Sequence, residues 1–192
     1  MSATTASPPR PQTALEICRR YEPSKQVRTC LRAGDTPKAL FDRLVERRLY
    51  ADAVALLARL LSKEEAIWWG CLCAWYSARP NPTPAAQAAL QATLRWLQEP
   101  TEEHRRAAEQ QARKAGAHTP AGAVAQAAAF AAGSMSLPGL PEVAPPEDLT
   151  AQTIAGAVRA CAAEPAVADG GDAYRQLLRF GLEVASGKNR WL

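Results

Sequence analysis

Five cysteines, at 18, 30, 71, 73 and 161, and two histidines, at 104 and 118, are the side chains of this 192-residue chain best suited to metal or nucleophilic chemistry. A structural zinc site needs four such ligands converging, usually seeded by a CxxC pair, and this spacing contains none. Cys71 and Cys73 are two residues apart, so a helix sends them to different sides and they cannot share one metal without distortion. His104 and His118 have no cysteine, histidine or carboxylate at ligand spacing. The stretch contains no GxGxxG, Walker loop, HExxH or GxSxG. The run Asp169-Gly170-Gly171-Asp172 places glycines before a helix, where an anion nest could form. It lacks a following Lys, Ser or Thr, so it reads as a turn with Asp172 as the helix cap. The acidic pair Glu64/Glu65 sits where a helix starts, and the positive end of the helix dipole accounts for it. No nucleophile–base pair stands out. The expectation is therefore a protein that is not an enzyme and carries no metal and no cofactor.

The elements that would position these groups are helices. The apolar share leans on alanine, the best helix former and a poor strand former, while aromatics are only 6%. Thr-Pro recurs at 36–37, 83–84 and 119–120. Thr caps free N–H groups, and Pro suits the first helical position because its missing N–H is not needed there. Thr101 and Thr150 read as two further caps. Apolar residues recur at helical spacing between these signals, as in Leu90/Leu94/Leu97 and Ile154/Ala157/Val158/Cys161. The pattern predicts helices near 13–21, 25–33, 37–48, 50–61, 63–78, 84–98, 102–115, 120–132, 151–163 and 172–186. The first two are short, which leaves about eight main helices in an irregular all-α array. The whole reads as an arm over 1–12, a single domain over 13–187 and a tail over 188–192. Free buried thiols fit a reducing cytoplasm. The longest strongly apolar run, 66–76, is far short of the roughly 20 residues that span a bilayer.

The stretch Glu64 to Pro80 holds three of the five tryptophans. On a wheel at about 100° per residue, Ile67, Trp68, Cys71, Leu72 and Trp75 fall on one broad face and Trp69, Cys73 and Tyr76 on another. Ala66, Gly70, Ala74 and Ser77 form a stripe of small residues, against which a neighbouring helix can pack closely. A helix apolar nearly all round is a buried one, so residues 64–78 are expected at the centre of the core. A tryptophan-lined pocket is the alternative.

One connection is long. Gly133 to Asp148 holds four of the prolines expected to break helix, and a structureless stretch of this length calls for an explanation. One reading is a strap pinned across the bundle by Met135, Leu137, Leu140 and Val143. The other is a polyproline-like segment that docks a partner, using Leu137, Pro138, Leu140, Pro141 and Val143. The tail Gly187-Lys-Asn-Arg-Trp-Leu192 offers Arg190 and Trp191, the residue types that anchor interfaces.

Charge is uneven. Residues 1–61 carry 11 Lys/Arg against 6 Asp/Glu, residues 62–118 carry 7 against 6, and residues 119–192 carry 5 against 7. A basic first third raises nucleic acid or an anionic surface as partner, through Arg19, Arg20, Arg28, Arg32, Arg47 and Arg48. No stretch interleaves these with aromatics as a single-strand platform would, so nucleic acid ranks below protein.

Three segments, residues 49–75 with "AIWWGCLCAW", residues 133–143 with "GSMSLPGLPEV" and residues 149–162 with "LTAQTIAGAVRACA", resemble a family of uncharacterised bacterial all-helical proteins. That family carries a similar "AVWW-CLCA" core and a similar Pro-rich segment before an "AGAV" helix. The resemblance covers most of residues 35–187. It implies an accessory role beside type VI and related contractile secretion systems, without catalysis, and it supplies no site residues. The resulting expectation is a cytoplasmic protein-binding adaptor or chaperone-like factor whose partner is another protein. A helical nucleic-acid binder and an enzyme without a recognisable motif are the alternatives.

Overall fold

Ten helices make up the computed structural model, which describes residues 13–136, 139–164 and 170–190. They are α1 (Ala14–Cys18), α2 (Lys25–Cys30), α3 (Pro37–Glu46), α4 (Tyr50–Leu60), α5 (Lys63–Ser77), α6 (Pro84–Gln98), α7 (Glu102–Ala115), α8 (Pro120–Ala129), α9 (Leu149–Ala163) and α10 (Gly170–Ala185). Among the described residues there is no strand. The arm over 1–12 lies outside the described residues.

The Thr-Pro signals act as expected. The hydroxyls of Thr36, Thr83 and Thr119 accept from the amides of Ala39, Ala86 and Gly122 at 3.1–3.2 Å, with proline at the first helical position each time. Thr101 does the same for His104 N. Ser62 starts α5 in a capping box, its hydroxyl accepting from Glu65 N while the Glu65 carboxylate accepts from Ser62 N. Two caps differ from expectation. Thr150 is buried inside α9, and its hydroxyl has no hydrogen-bond partner among the described residues. The capping position falls to Asp148, whose carboxylate accepts from Arg59 Nη2 at 2.6 Å instead of capping the helix. Asp172 lies within the first turn of α10 rather than at its cap, and pairs with Arg175.

Helices α5 and α9 form the middle of the array. α8 packs on both, α10 packs on both as well, α4 packs on α9 and α10, and α6 and α7 extend the layer beside α8. The small residues of α5 set this arrangement. A Cβ at Gly70 would lie 2.8 Å from Ile154 Cδ1 and 3.0 Å from Val124 Cγ2, so both α8 and α9 rest on the α5 backbone there. Trp69 is 0% exposed, and its indole N–H donates to Leu177 O at 2.8 Å. Gly181 brings α10 down onto it, because a Cβ there would lie 2.8 Å from Trp69 Cε2.

The expectation for the rest of α5 requires correction. Trp75 is 43% exposed, and Trp68 and Leu72 are only partly buried. The helix is apolar nearly all round, but its neighbours occupy only part of its circumference. The tight approach is through Ala66, Gly70, Ala74 and Ser77, and the side about 160° from Gly70 is left facing water. Of the wheel's first face, Ile67 and Cys71 are buried and Trp68, Leu72 and Trp75 are not.

Residues 13–35 cover one end. Ala14, Ile17, Val27 and Cys30 enter the core against α3. Arg43 fastens this cover by donating to Cys30 O and Asp35 Oδ2, each at 2.6 Å.

Candidate contact surface

The connection after α8 is built from main-chain hydrogen bonds. Arg105, on α7, is only 2% exposed. Its Nη1 donates to Ala129 O at 2.6 Å, satisfying a carbonyl left free at the end of α8. Its Nη2 donates to Ser134 O at 3.0 Å, and Arg106 Nη2 donates to Ser136 O at 2.8 Å. The Ser134 hydroxyl accepts from Ser136 N and Val143 N, each at 3.0 Å, and Met135 N donates to Val143 O at 2.8 Å. At its far end the segment is tied by Arg59 to Asp148.

Glu102 supports this grip. Its carboxylate accepts from Arg105 Nε and Nη2, both at 2.6 Å, and from Arg106 Nε at 2.8 Å. The hydrogen bonds from Arg105, reinforced by those from Arg106, lower the Glu102 pKa to about 2.

Because the polar grip is on the backbone, the apolar side chains point away from the domain. Leu140 is 59% exposed and Val143 49%, and Pro141 and Met135 are exposed as well. The reading in which Met135, Leu140 and Val143 pin the strap to the bundle is therefore corrected: arginine-to-carbonyl bonds hold it. Leu137 and Pro138 lie outside the described residues.

The tail turns back on the domain. Lys188 N donates to Glu183 O and Gly187 N to Val184 O, the Schellman pattern, with Gly187 at φ 71°. The turn delivers Asn189, whose Oδ1 accepts from Trp68 Nε1 at 3.2 Å. Arg190 is exposed and lines a cleft of about 500 Å³ with Glu65, Val184, Ser186 and Asn189. Trp191 lies outside the described residues. Among the described residues, no hydrogen bond or ion pair joins the strap to the tail, so the two proposed contact regions are separate features.

The outward side of α5 was not singled out from sequence. Arg79 lies over the Trp75 ring, 5.9 Å from its centroid, and Tyr76 meets Phe180 edge to face at 5.5 Å. The arginines of the first third are exposed but partly engaged. Arg28 donates to Pro23 O, Arg20 lies 3.7 Å from Glu147, and Arg47 Nη1 is 3.5 Å from Cys30 Sγ.

Reactive chemistry is not assembled among the described residues. No three His, Cys, Asp or Glu groups converge as metal ligands would. All five cysteines are free and buried. Burial pushes the Cys71 and Cys73 thiols up and raises Cys161 to about 12, away from the thiolate form a nucleophile needs. His104 Nδ1 lies 2.9 Å from Glu99 O. No helix among the described residues is long and apolar enough to cross a membrane.

Fold and surface define an all-helical protein with a backbone-clamped, side-chain-displaying strap. The chain belongs to the family of unknown function DUF6931, whose model matches residues 40–185. That match takes in α4 to α10 and most of α3, and leaves α1 and α2 outside it. No curated protein and no solved structure matches the chain.

Proposed function

We propose that this protein acts by contact, as a non-enzymatic cytoplasmic adaptor or chaperone-like accessory factor, with the strap as its principal binding surface. The supporting observation is the outward display of Leu140, Pro141 and Val143 on a segment whose backbone is already fixed by Arg105, Arg106 and Ser134. A segment held in place before binding loses little conformational freedom on docking, which favours affinity. Arg190, beside the tail cleft, is a second contact point. An accessory place in a contractile, type VI-like secretion system is the setting that the sequence resemblance implies, and it is proposed on that ground alone. The basic first third ranks below this reading because several of its arginines already serve Glu22, Pro23, Glu147 and Cys30.

The test is a pull-down from the native host with mass spectrometry, comparing the wild-type chain with Leu140→Ser/Val143→Ser. Both side chains are exposed, so thermal melting should be unchanged. The expected result is loss of at least one specific partner. Retention of every specific partner by a normally folded variant would overturn the strap as the binding surface.

A further inference from the structure

The outward face of α5 and the strap are complementary to each other, yet they do not meet within one molecule: Trp75 is exposed, and so are Leu140 and Val143. Trp75 carries an indole N–H that donates to nothing among the described residues, and the Arg79 guanidinium lies over its ring without an ion-pair or hydrogen-bond partner among them. An exposed tryptophan beside an arginine with an unpaired guanidinium, with Trp68 alongside, has the residue types enriched at interface hot spots. Such a face calls for a ligand with hydrogen-bond acceptors, a carboxylate and flat apolar groups. Glu64, the acid on the same side of the helix, is 15 residues from Arg79 in sequence, about 22 Å along the axis, and does not neutralise it.

Residues 139–146 match that description. Pro141, Pro145 and Pro146 have no N–H, so three of these eight residues offer a carbonyl acceptor without a donor. Residues 141–146 lie in no helix or turn, and proline-rich segments dock on aromatic-lined surfaces. Glu142 is exposed and has no ion-pair partner among the described residues, and residues 133–148 contain no Lys or Arg. A ring on one side and prolines on the other, an N–H and carbonyls, and Arg79 and Glu142 are matched in chemistry.

We infer that the strap of one copy docks on the Trp75–Arg79 face of a second copy, giving a head-to-tail self-association. This rests on the proposed role of the strap as a binding surface and names one occupant for it. The two surfaces differ, so the contact is heterologous: each copy keeps one free strap and one free face, and the assembly grows as a ring or an open chain.

Sedimentation velocity of the full chain, from micromolar to millimolar concentration, tests this. The weight-average mass of the wild type should rise above that of the monomer. Trp75→Ala should weaken association about thirtyfold, as truncating a hot-spot tryptophan does. Arg79→Glu or Glu142→Arg should each weaken it about tenfold, and the double variant Arg79→Glu/Glu142→Arg should restore it. Both charge changes are on exposed side chains, so they report binding even if Trp75→Ala perturbs the fold. A mixture of Trp75→Ala with Leu140→Ser should stop at a dimer, because one good face and one good strap remain between them. A wild-type chain that stays monomeric throughout overturns the inference, as does association indifferent to both charge reversals. If the wild type is monomeric while Leu140→Ser/Val143→Ser still loses host partners, the inference fails and the proposed function stands. If association depends on Arg79 and Glu142 while every host partner is retained, the inference stands and the binding role toward host proteins fails.

Discussion

Trp69 and Gly181 form the pair on which the packing of α10 depends, and the consequence of altering them can be worked from their geometry. Trp69 is fully buried, and an aromatic side chain of this size removes roughly 150–250 Å² from water. At about 25 cal/mol per Å² this is about 4–6 kcal/mol, in line with the ~3–5 kcal/mol typical of emptying a buried aromatic site. The lost indole bond to Leu177 O adds about 1 kcal/mol at most, since that carbonyl lies within α10 and keeps its helical environment. Trp69→Ala is therefore expected to cost about 4 kcal/mol. Trp75→Ala, at a position 43% exposed, is expected to cost less than about 1.5 kcal/mol. Gly181→Ala in the wild type places a Cβ 2.6 Å from Leu57 Cδ2 and 2.8 Å from Trp69 Cε2, and overpacking of this kind costs about 1–3 kcal/mol. In the Trp69→Ala background half of that clash is gone, so the same substitution should cost about 1 kcal/mol less, a coupling that a double-mutant cycle isolates. Urea unfolding followed by far-UV circular dichroism measures the wild type and all four variants. If Trp69→Ala costs no more than Trp75→Ala, or if the cycle shows no coupling, the account of α10 resting on Trp69 through Gly181 is wrong.

Glu102 should make the strap acid-sensitive. Its pKa in the folded protein is depressed to about 2 from 4.5, so its contribution is present above about pH 4.5 and is lost as pH falls toward 2. Thermal melting between pH 5 and about pH 2 should fall less steeply in Glu102→Gln than in the wild type. An identical pH dependence would show that Glu102 does not carry the grip. Thr150 is buried with an unpartnered hydroxyl, and Thr150→Val removes that hydroxyl at nearly constant shape. It should be neutral or stabilising by about 1 kcal/mol in urea unfolding. A loss of more than about 1 kcal/mol would mean that the hydroxyl has a partner in solution.

Helix positions were legible in the sequence because their start signals are local: a Thr hydroxyl, a Pro at the first position and an apolar stripe all act within one turn. Thr150 misled because it resembles such a cap, but Asp148 two residues earlier is taken by Arg59, 89 residues away in sequence. Nothing local reports that partner. Orientation was harder to read than position. The wheel located the small stripe of α5 on which α8 and α9 rest, yet it placed Trp75 inward, because which sides of an all-apolar helix are covered depends on how many neighbours reach it. Arg105 was missed inside the charged run Glu102-Glu103-His104-Arg105-Arg106. A signal was available: Arg105 falls in register with the buried Ala108 and Ala112, on the inward stripe of α7. The strap's apolar residues carry no period, so the sequence did not say which way they face.

The way Arg105 and Arg106 hold the strap bears on how this surface changes over evolutionary time. Their targets are Ala129 O, Ser134 O and Ser136 O, and a carbonyl is present whatever the side chain. Substitutions at Leu140, Pro141, Glu142 or Val143 leave those bonds untouched. Recognition can therefore drift or be redesigned residue by residue at the tip without eroding the domain beneath it. Anchorage and specificity are written in different atoms, and selection can act on one while the other stays fixed.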